Sequence, residues 1–215
     1  MRVLKHHTDP VTCAAWAPDG QSFVVGAVDF DRPLTIWALR SSPTDPNPVY
    51  TFDKTSLNRV EDCTVAAATS ATTYDANSPI AKDATATQVR LAALSIDRTI
   101  HVYDYYSRDK LCQINVGHTL TSINLSSDGE EMIANLSCNE VWAFGVEDGN
   151  VRRKYQGQQQ GTYIIRGCYG GANEGMVVSG GEGMLGRCSQ AFRKTLMKYS
   201  RWQNLHMAQA LRATG

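Results

Sequence analysis

No stretch of this sequence is apolar for the roughly 20 residues that a membrane-crossing helix needs, and its opening MRVLKHHTDP has no apolar core of the kind found in a secretory signal. Six cysteines (Cys13, Cys63, Cys112, Cys138, Cys168 and Cys188) form no Cys-x-x-Cys and no tight Cys/His cluster, so no zinc site is readable. Without a secretory signal they read as reduced thiols in strands. Net charge is also missing: 21 Lys and Arg balance 21 Asp and Glu, which argues against non-specific attraction to nucleic acid or an anionic membrane. The balance is uneven, because residues 184–215 hold six basic side chains and no acidic one, leaving residues 1–183 at a net −6. Helical periodicity is almost absent before residue 184. These absences predict a soluble protein of the cytoplasm, the nucleus or both, with no metal or cofactor, no nucleic acid and no membrane partner.

What is present is a repeat. HHTDPVTCAAWAPDGQSFVVGA reads as an alternating strand over Val11 to Trp16, the turn Ala17-Pro18-Asp19-Gly20 and a returning strand over Ser22 to Ala27. After the aspartate-bearing turn VDFDRP, Leu34-Thr35-Ile36-Trp37 is a third strand. The same order recurs in GHTLTSINLSSDGEEMIANLS, with Ser126-Ser127-Asp128-Gly129 at the turn and Glu140 to Phe144 closing the unit. Between the two copies, VRLAALSIDRTIHVYD supplies a strand, the turn Ile96-Asp97-Arg98-Thr99 and a strand ending on Tyr103-Asp104. Period-2 strands bounded by Asp-Gly turns predict an antiparallel all-β protein.

The pattern resembles the WD-repeat family of β-propellers, whose units have four strands, a Gly-His near the start and a Trp-Asp near the end. His7 and His118 fall at the histidine, Asp97 at the turn aspartate, Trp37, Tyr103 and Phe144 at the tryptophan, and Asp104 alone keeps the final aspartate. The resemblance implies a structural role for these residues, so Ser95, Asp97 and a histidine are not read as a nucleophilic triad. It implies a propeller of about three and a half blades over 1–183. The blades lie near 2–39 (clipped outer strand at Arg2 to Lys5), 47–105, 109–145 and 150–183, with a flexible loop at 70–88. A basic tail at 184–215 can be drawn as an amphipathic helix or left without a fold.

Two passages narrow the resemblance. Arg153, Lys154, Tyr155, Gly157, Gln160, Gly161, Tyr163, Ile165, Cys168, Gly170 and Gly171, with HTDPVTCAAWAPDGQSFVVGA upstream, are similar to the WD-repeat subunit of the GID/CTLH E3 ubiquitin ligase. That family also has a LisH/CTLH region and a complete propeller; neither is read here, so the chain is expected to be a propeller cut short at both ends. The resemblance implies a non-catalytic scaffold or substrate-recruiting subunit in ubiquitin-dependent degradation, with other ligase subunits or substrates as partners. Alternatives are a general WD-repeat scaffold or a truncated product without a function of its own, and open strand edges invite self-association.

Two further features require weighing. Arg152, Arg153 and Lys154, with Tyr155 and Tyr163, suit contact with an acidic partner, although charges at the start of an outer strand usually face water. Gly181-x-Gly183-x-x-Gly186 matches a dinucleotide loop, which would make the chain an enzyme. No acidic residue follows Glu182 to take a ribose, so the glycines are expected to serve a β-turn where the repeat stops.

Overall fold

A computed structural model describes residues 6–39, 47–68, 88–171, 174–182, 187–190 and 196–198, the last two spans as backbone only. Among the described residues, alternating apolar residues and tight turns produce sixteen strands in four antiparallel sheets of four. The first sheet holds β1 (Val11–Trp16), β2 (Ser22–Ala27), β3 (Leu34–Ala38) and β4 (Tyr50–Phe52). The second holds β5 (Val60–Ala68), β6 (Gln88–Ser95), β7 (Thr99–Asp104) and β8 (Lys110–Asn115). The third holds β9 (Leu120–Leu125), β10 (Glu131–Leu136), β11 (Glu140–Gly145) and β12 (Val151–Gln156), and the fourth β13 (Gly167–Gly170), β14 (Met176–Ser179), β15 (Arg187–Gln190) and β16 (Leu196–Lys198). The sheets stand side by side through their first strands, β1 along β5, β5 along β9 and β9 against β13. This is the blade arrangement of a partial β-propeller.

The Asp-Gly turns set the first hairpins. Gly20 and Gly129 take φ of +63° and +69°, in the left-handed region where only glycine is unstrained. Their N–H groups donate to Ala17 and Ser126 carbonyls, and Asp19 and Asp128 carboxylates accept the backbone N–H groups that follow. Asn139 and Arg98 fill the corresponding left-handed position of the turns between second and third strands.

The core is three apolar layers, one between each pair of neighbouring sheets. Val24, Leu34, Ile36 and Phe52 meet Val60, Leu91 and Tyr103 between the first and second sheets. Leu94, Ile100 and Val102 meet Ile123, Met132 and Phe144 between the second and third. Ile133, Val141, Ala143 and Val177, with Tyr155 and Tyr169 at the margin, join the third and fourth. Each fully buried Leu, Ile or Phe in these layers contributes about 1.5–3 kcal/mol. Alanines at 92, 93, 134 and 143, all 0% exposed, let the layers close up.

Two expectations need correction. The sequence repeats and the sheets are offset by one strand: the outer strand of each sheet lies where the next repeat begins, so that β4 is the outer strand of the first sheet. Residues 1–5 and the loop at 69–87 lie outside the described residues. Second, the fourth sheet does not stop at Gly183. β15 pairs with β14 through Ser179↔Arg187 to Met176↔Gln190, and β16 pairs with β15, giving four strands instead of half a blade. Sequences as polar as Arg187-Cys-Ser-Gln have little strand propensity; the unpaired edge of β14 supplies the template that propensity lacks. Of the tail drawn as a helix, 187–190 and 196–198 are strands, and the remainder falls outside the described residues. Cys138 sits in the turn between β10 and β11, not in a strand.

Candidate protein-interaction face

One end of the sheets gathers the segments that precede each first strand (6–10, 53–59, 116–119 and 157–166) and the turns between second and third strands. The repeat residues meet here. His7 Nε2 and Thr35 Oγ1 are 3.0 Å apart, and Trp37 Nε1 donates to the same Oγ1 at 2.9 Å, so the histidine segment is tied to β3. Asp29, 2% exposed, accepts Thr8 N and Thr8 Oγ1 at 2.9 Å each and the N–H groups of Asp31 and Arg32. Burial alone would raise this carboxyl; the hydrogen bonds overcome it and hold it at about 2. Cross-strand register equates Asp29 with Asp97, whose Oδ1 accepts Thr99 N. Asp29 was missed as a site residue, although the sequence VDFDRP already carried the signal.

The register also places the aromatic positions. Trp37 faces Phe23, Tyr103 faces Leu91 and Phe144 faces Met132, which are equivalent places in three sheets. Their partners differ. Tyr103 Oη donates to Ser56 O at 3.0 Å, and burial, its first cause, pushes the phenol up to about 12. Phe144 has no polar atom, and His118 instead stacks edge-on against Trp142 at 5.3 Å. Asp104 caps the following turn by accepting Tyr106 N and Ser107 N. Ser95 Oγ donates to Arg59 O at 3.3 Å and lies in no triad.

The segment before β13 is the most elaborately held. Glu182 Oε1 accepts Gly161 N at 2.8 Å and Tyr163 N at 2.7 Å, and the Tyr163 bond is the main cause that holds its carboxyl below the usual range. Asn139 Oδ1 accepts Gln160 N at 2.7 Å, while Gln158, 6% exposed, reaches Glu140 O, Asn135 and Ser179. Thr121 and Ser122 hydroxyls both donate to Ile165 O. Finally Arg166 Nη1 donates at 2.8 Å to Oδ1 of Asp62, a 1%-exposed carboxylate of the second sheet whose other oxygen accepts Ile123 N at 3.0 Å. Burial raises the Asp62 carboxyl, with Ile123 N–H and Arg166 opposing. One buried acid thus joins the second, third and fourth sheets. Between these anchors Tyr163 and Ile164 project outward, 74% and 71% exposed.

The cations singled out in sequence are not grouped with Tyr163. Arg152 pairs with Asp148 at 2.7 Å and Arg153 with Glu131 at 2.9 Å, and Lys154 lies 3.7 Å from the centroid of the Trp142 ring. Tyr155 turns into the layer between the third and fourth sheets. The run therefore lies on outer strand β12 and binds its own sheet.

The glycine fingerprint is corrected as well. Residues 180–186 connect β14 to the antiparallel β15, whereas a dinucleotide loop leads from a strand into a helix. Gly183 and Gly186 themselves lie outside the described residues. Among the described residues no group of three His, Cys, Asp or Glu is placed to hold a metal ion, and no helix is long and apolar enough to cross a membrane.

Comparison with known proteins agrees with this geometry. The family model "WD domain, G-beta repeat" matches residues 1–32. GID complex subunit 7 of Schizosaccharomyces pombe is 26% identical over 181 residues, covering 82% of this chain and 30% of that protein. The WD repeat-containing protein WDS homolog of Arabidopsis thaliana is 27% identical over 173 residues, covering 80% and 28%. The chain therefore spans less than a third of the length of these relatives. Among solved structures, the RRP9 WD40 repeats superpose with a TM-score of 0.68 at 13% identity over 94% of this chain and 54% of that one. The structure of U3-55K gives 0.66 at 13%, over 93% and 54%. With sheet register and solved structures in agreement, the four sheets are blades of a partial β-propeller, and the chain is similar to WD-repeat proteins.

Proposed function

We propose that the chain is a non-catalytic protein-interaction scaffold and that it serves a ubiquitin ligase as a scaffolding or substrate-recruiting subunit. The observation that carries the scaffold reading is the division of labour at the loop end. Asp29, Asp62, His7 and Glu182 are engaged in holding loops together, while Tyr163, Ile164, Phe30 (52%) and Ile96 (47%) are displayed. Polar groups spent internally are unsuited to acid–base work, and fixed apolar projections suit recognition of another protein. Support for the ligase comes from the Arg153 to Gly171 resemblance and from the similarity to GID complex subunit 7. Residence in the cytoplasm or nucleus belongs to the same proposal, supported by free thiols at Cys13, Cys63, Cys112, Cys138 and Cys168.

A general WD-repeat scaffold outside any ligase is the second reading, favoured by equal similarity to the WDS homolog. Affinity purification of the tagged chain from cells, with mass spectrometry of what accompanies it, separates the two. RING-containing ligase subunits are expected. Reproducible partners without them would move the assignment to the general scaffold, and the absence of specific partners would remove both.

A further inference from the structure

The apolar layer between the first and second sheets contains two thiols. Cys13 on β1 and Cys63 on β5 are 7% and 6% exposed and lie in one layer with Val24, Val60 and Leu91. The register gives their place a meaning within the repeat. Cys13, Asp62 and Ser122 are each the first paired residue after the irregularity at the start of a first strand. From this place each side chain reaches the next sheet or the segment leading into it. Asp62 accepts Ile123 N, Ser122 donates to Ile165 O, and Cys13 is hydrogen-bonded with Cys63, the equivalent of Ile123. Where a carboxylate ties the second sheet to the third, a thiol pair ties the first to the second.

The two sulfurs are not equivalent. Gly26 stands opposite Cys13, and a Cβ there would lie 2.5 Å from Cys13 Sγ, so the sulfur rests directly over the β2 backbone and accepts Gly26 N–H. Thr12 Oγ1 is 3.6 Å from the same sulfur but has a better acceptor in Val60 O at 2.8 Å, which leaves the Cys63 thiol as the principal donor. That bond, the largest cause, draws the Cys13 thiol below its usual range against burial and the Asp62 charge. The same bond, followed by burial, raises Cys63. The pair therefore gives up its first proton from Cys13, while Cys63 keeps its own. A thiolate beside a protonated thiol is an oxidisable sulfur with its resolving partner already in place. Access is unequal too: Cys13 stands between half-buried Thr12 and exposed Ala14, whereas Cys63 stands between buried Asp62 and Thr64. An oxidant little larger than water has the shorter way to Cys13.

We propose that Cys13 and Cys63 form a reversible redox clasp between the first and second sheets, closed by hydrogen peroxide and opened by a small dithiol. The Cys13 thiolate attacks one peroxide oxygen; the O–O bond breaks, the other oxygen leaves as hydroxide and takes up the proton that Cys13 released, giving water and a sulfenic acid on Cys13. Cys63 sulfur then attacks Cys13 sulfur, the S–O bond breaks, and the departing oxygen takes the Cys63 proton to leave as a second water. The pair gives two electrons, and one peroxide becomes two waters. In the test, the whole reduced chain is treated with hydrogen peroxide, quenched with N-ethylmaleimide and digested without reductant for mass spectrometry, with thermal melts on the same samples. A peptide pair joining Cys13 to Cys63 is expected, and is lost after dithiothreitol. The bridge closes a loop of about 50 residues in the unfolded chain, so the oxidised protein should melt several degrees higher and return to the parent midpoint on reduction. Substituting the exposed thiols, Cys138→Ser with Cys168→Ser, leaves both the link and the melt shift unchanged. In Cys63→Ser the sulfenic acid on Cys13 has no resolving thiol and should be trapped by dimedone, whereas Cys13→Ser should give no adduct at 63. Should either of these buried substitutions fail to fold, the linked peptide and the melt of the parent chain decide alone. No link in the folded parent, a link that forms only in urea, an oxidised chain that melts at or below the reduced one, or dimedone on Cys63 in place of Cys13 would each overturn the clasp.

Discussion

Acid should destabilise this propeller through one residue, His101, before most carboxylates titrate. His101 lies on β7, paired across to Ala93 and Gln113, and is 6% exposed with neither ring nitrogen hydrogen-bonded. Its ring lies parallel to that of Tyr103, centroids 6.3 Å apart. Burial, the larger cause, and the Lys110 charge depress its pKa from 6.5 to about 4, against a smaller opposing effect of Asp97. The folded chain therefore holds this histidine neutral while the unfolded chain takes up a proton below 6.5. The stability is complete above 6.5, drains away as pH falls towards 4, and changes no further once both states are protonated. At about 1.4 kcal/mol for each pH unit, the full loss is about 3 kcal/mol, of which about 2.5 kcal/mol is gone by pH 4.5.

His101→Phe isolates the effect. Phenylalanine fills nearly the same volume, keeps the contact with Tyr103 and removes two buried nitrogens that lack partners, so the variant is expected to match or exceed the parent at pH 7.5 by about 1 kcal/mol. Urea unfolding followed by tryptophan fluorescence at pH 7.5, 6.5, 5.5 and 4.5 should show the gap between variant and parent widening by about 2.5 kcal/mol over that range. The half-buried His6 and His7, also depressed by burial, and the raised Glu61 and Asp62 are common to both chains and cancel in the difference. Parallel stability curves for the two proteins would refute the assignment.

Asp62→Ala leaves Ile123 N–H buried without an acceptor and releases Arg166, and is expected to cost about 3–5 kcal/mol, whereas Asp62→Asn, which keeps the acceptor, costs less than half of that; denaturation midpoints order the two. Gly20→Ala and Gly129→Ala both impose a left-handed φ on alanine, worth about 1–2 kcal/mol. A Cβ at 20 meets nothing within 4 Å while one at 129 comes 3.0 Å from Ala68 Cβ and 3.1 Å from its Cα, so the 129 variant should melt lower. Titration with nicotinamide and adenine nucleotides should show no saturable binding, because 180–186 joins antiparallel strands; a micromolar site would contradict that topology.

What the sequence made legible was local. Val11–Trp16 and Ser22–Ala27 were readable to the residue, because alternation and an Asp-Gly turn are written within a span of seventeen positions. The aromatic positions 37, 103 and 144 could be aligned because each ends a third strand. Where the outer strand of a blade belongs is a different kind of fact: Tyr50–Phe52 follows the first unit's third strand only after residues 39–49, and nothing in its composition says which edge it joins. β15 is the extreme case, a polar tetrapeptide made a strand by the edge it meets.

The same distinction decides where function was hidden. Arg152, Arg153 and Lys154 attracted attention as a run, yet a run on one strand alternates between faces, and its members were neutralised by Asp148, Glu131 and the Trp142 ring. Arg166 stands alone in sequence and meets Asp62 across 104 positions, passing over the third blade to reach the second. No window of sequence contains both. Yet it is this pairing, with Glu182 twenty-one residues from Gly161, that fixes the direction in which Tyr163 and Ile164 point. In a chain of stacked repeats, core positions recur and so can be read by comparing one unit with the next. The loop before β13 departs from the repeat, and its geometry is set by contacts between units, which is why Tyr163 could be named from sequence as a candidate while Ile164, Arg166 and Asp62 could not.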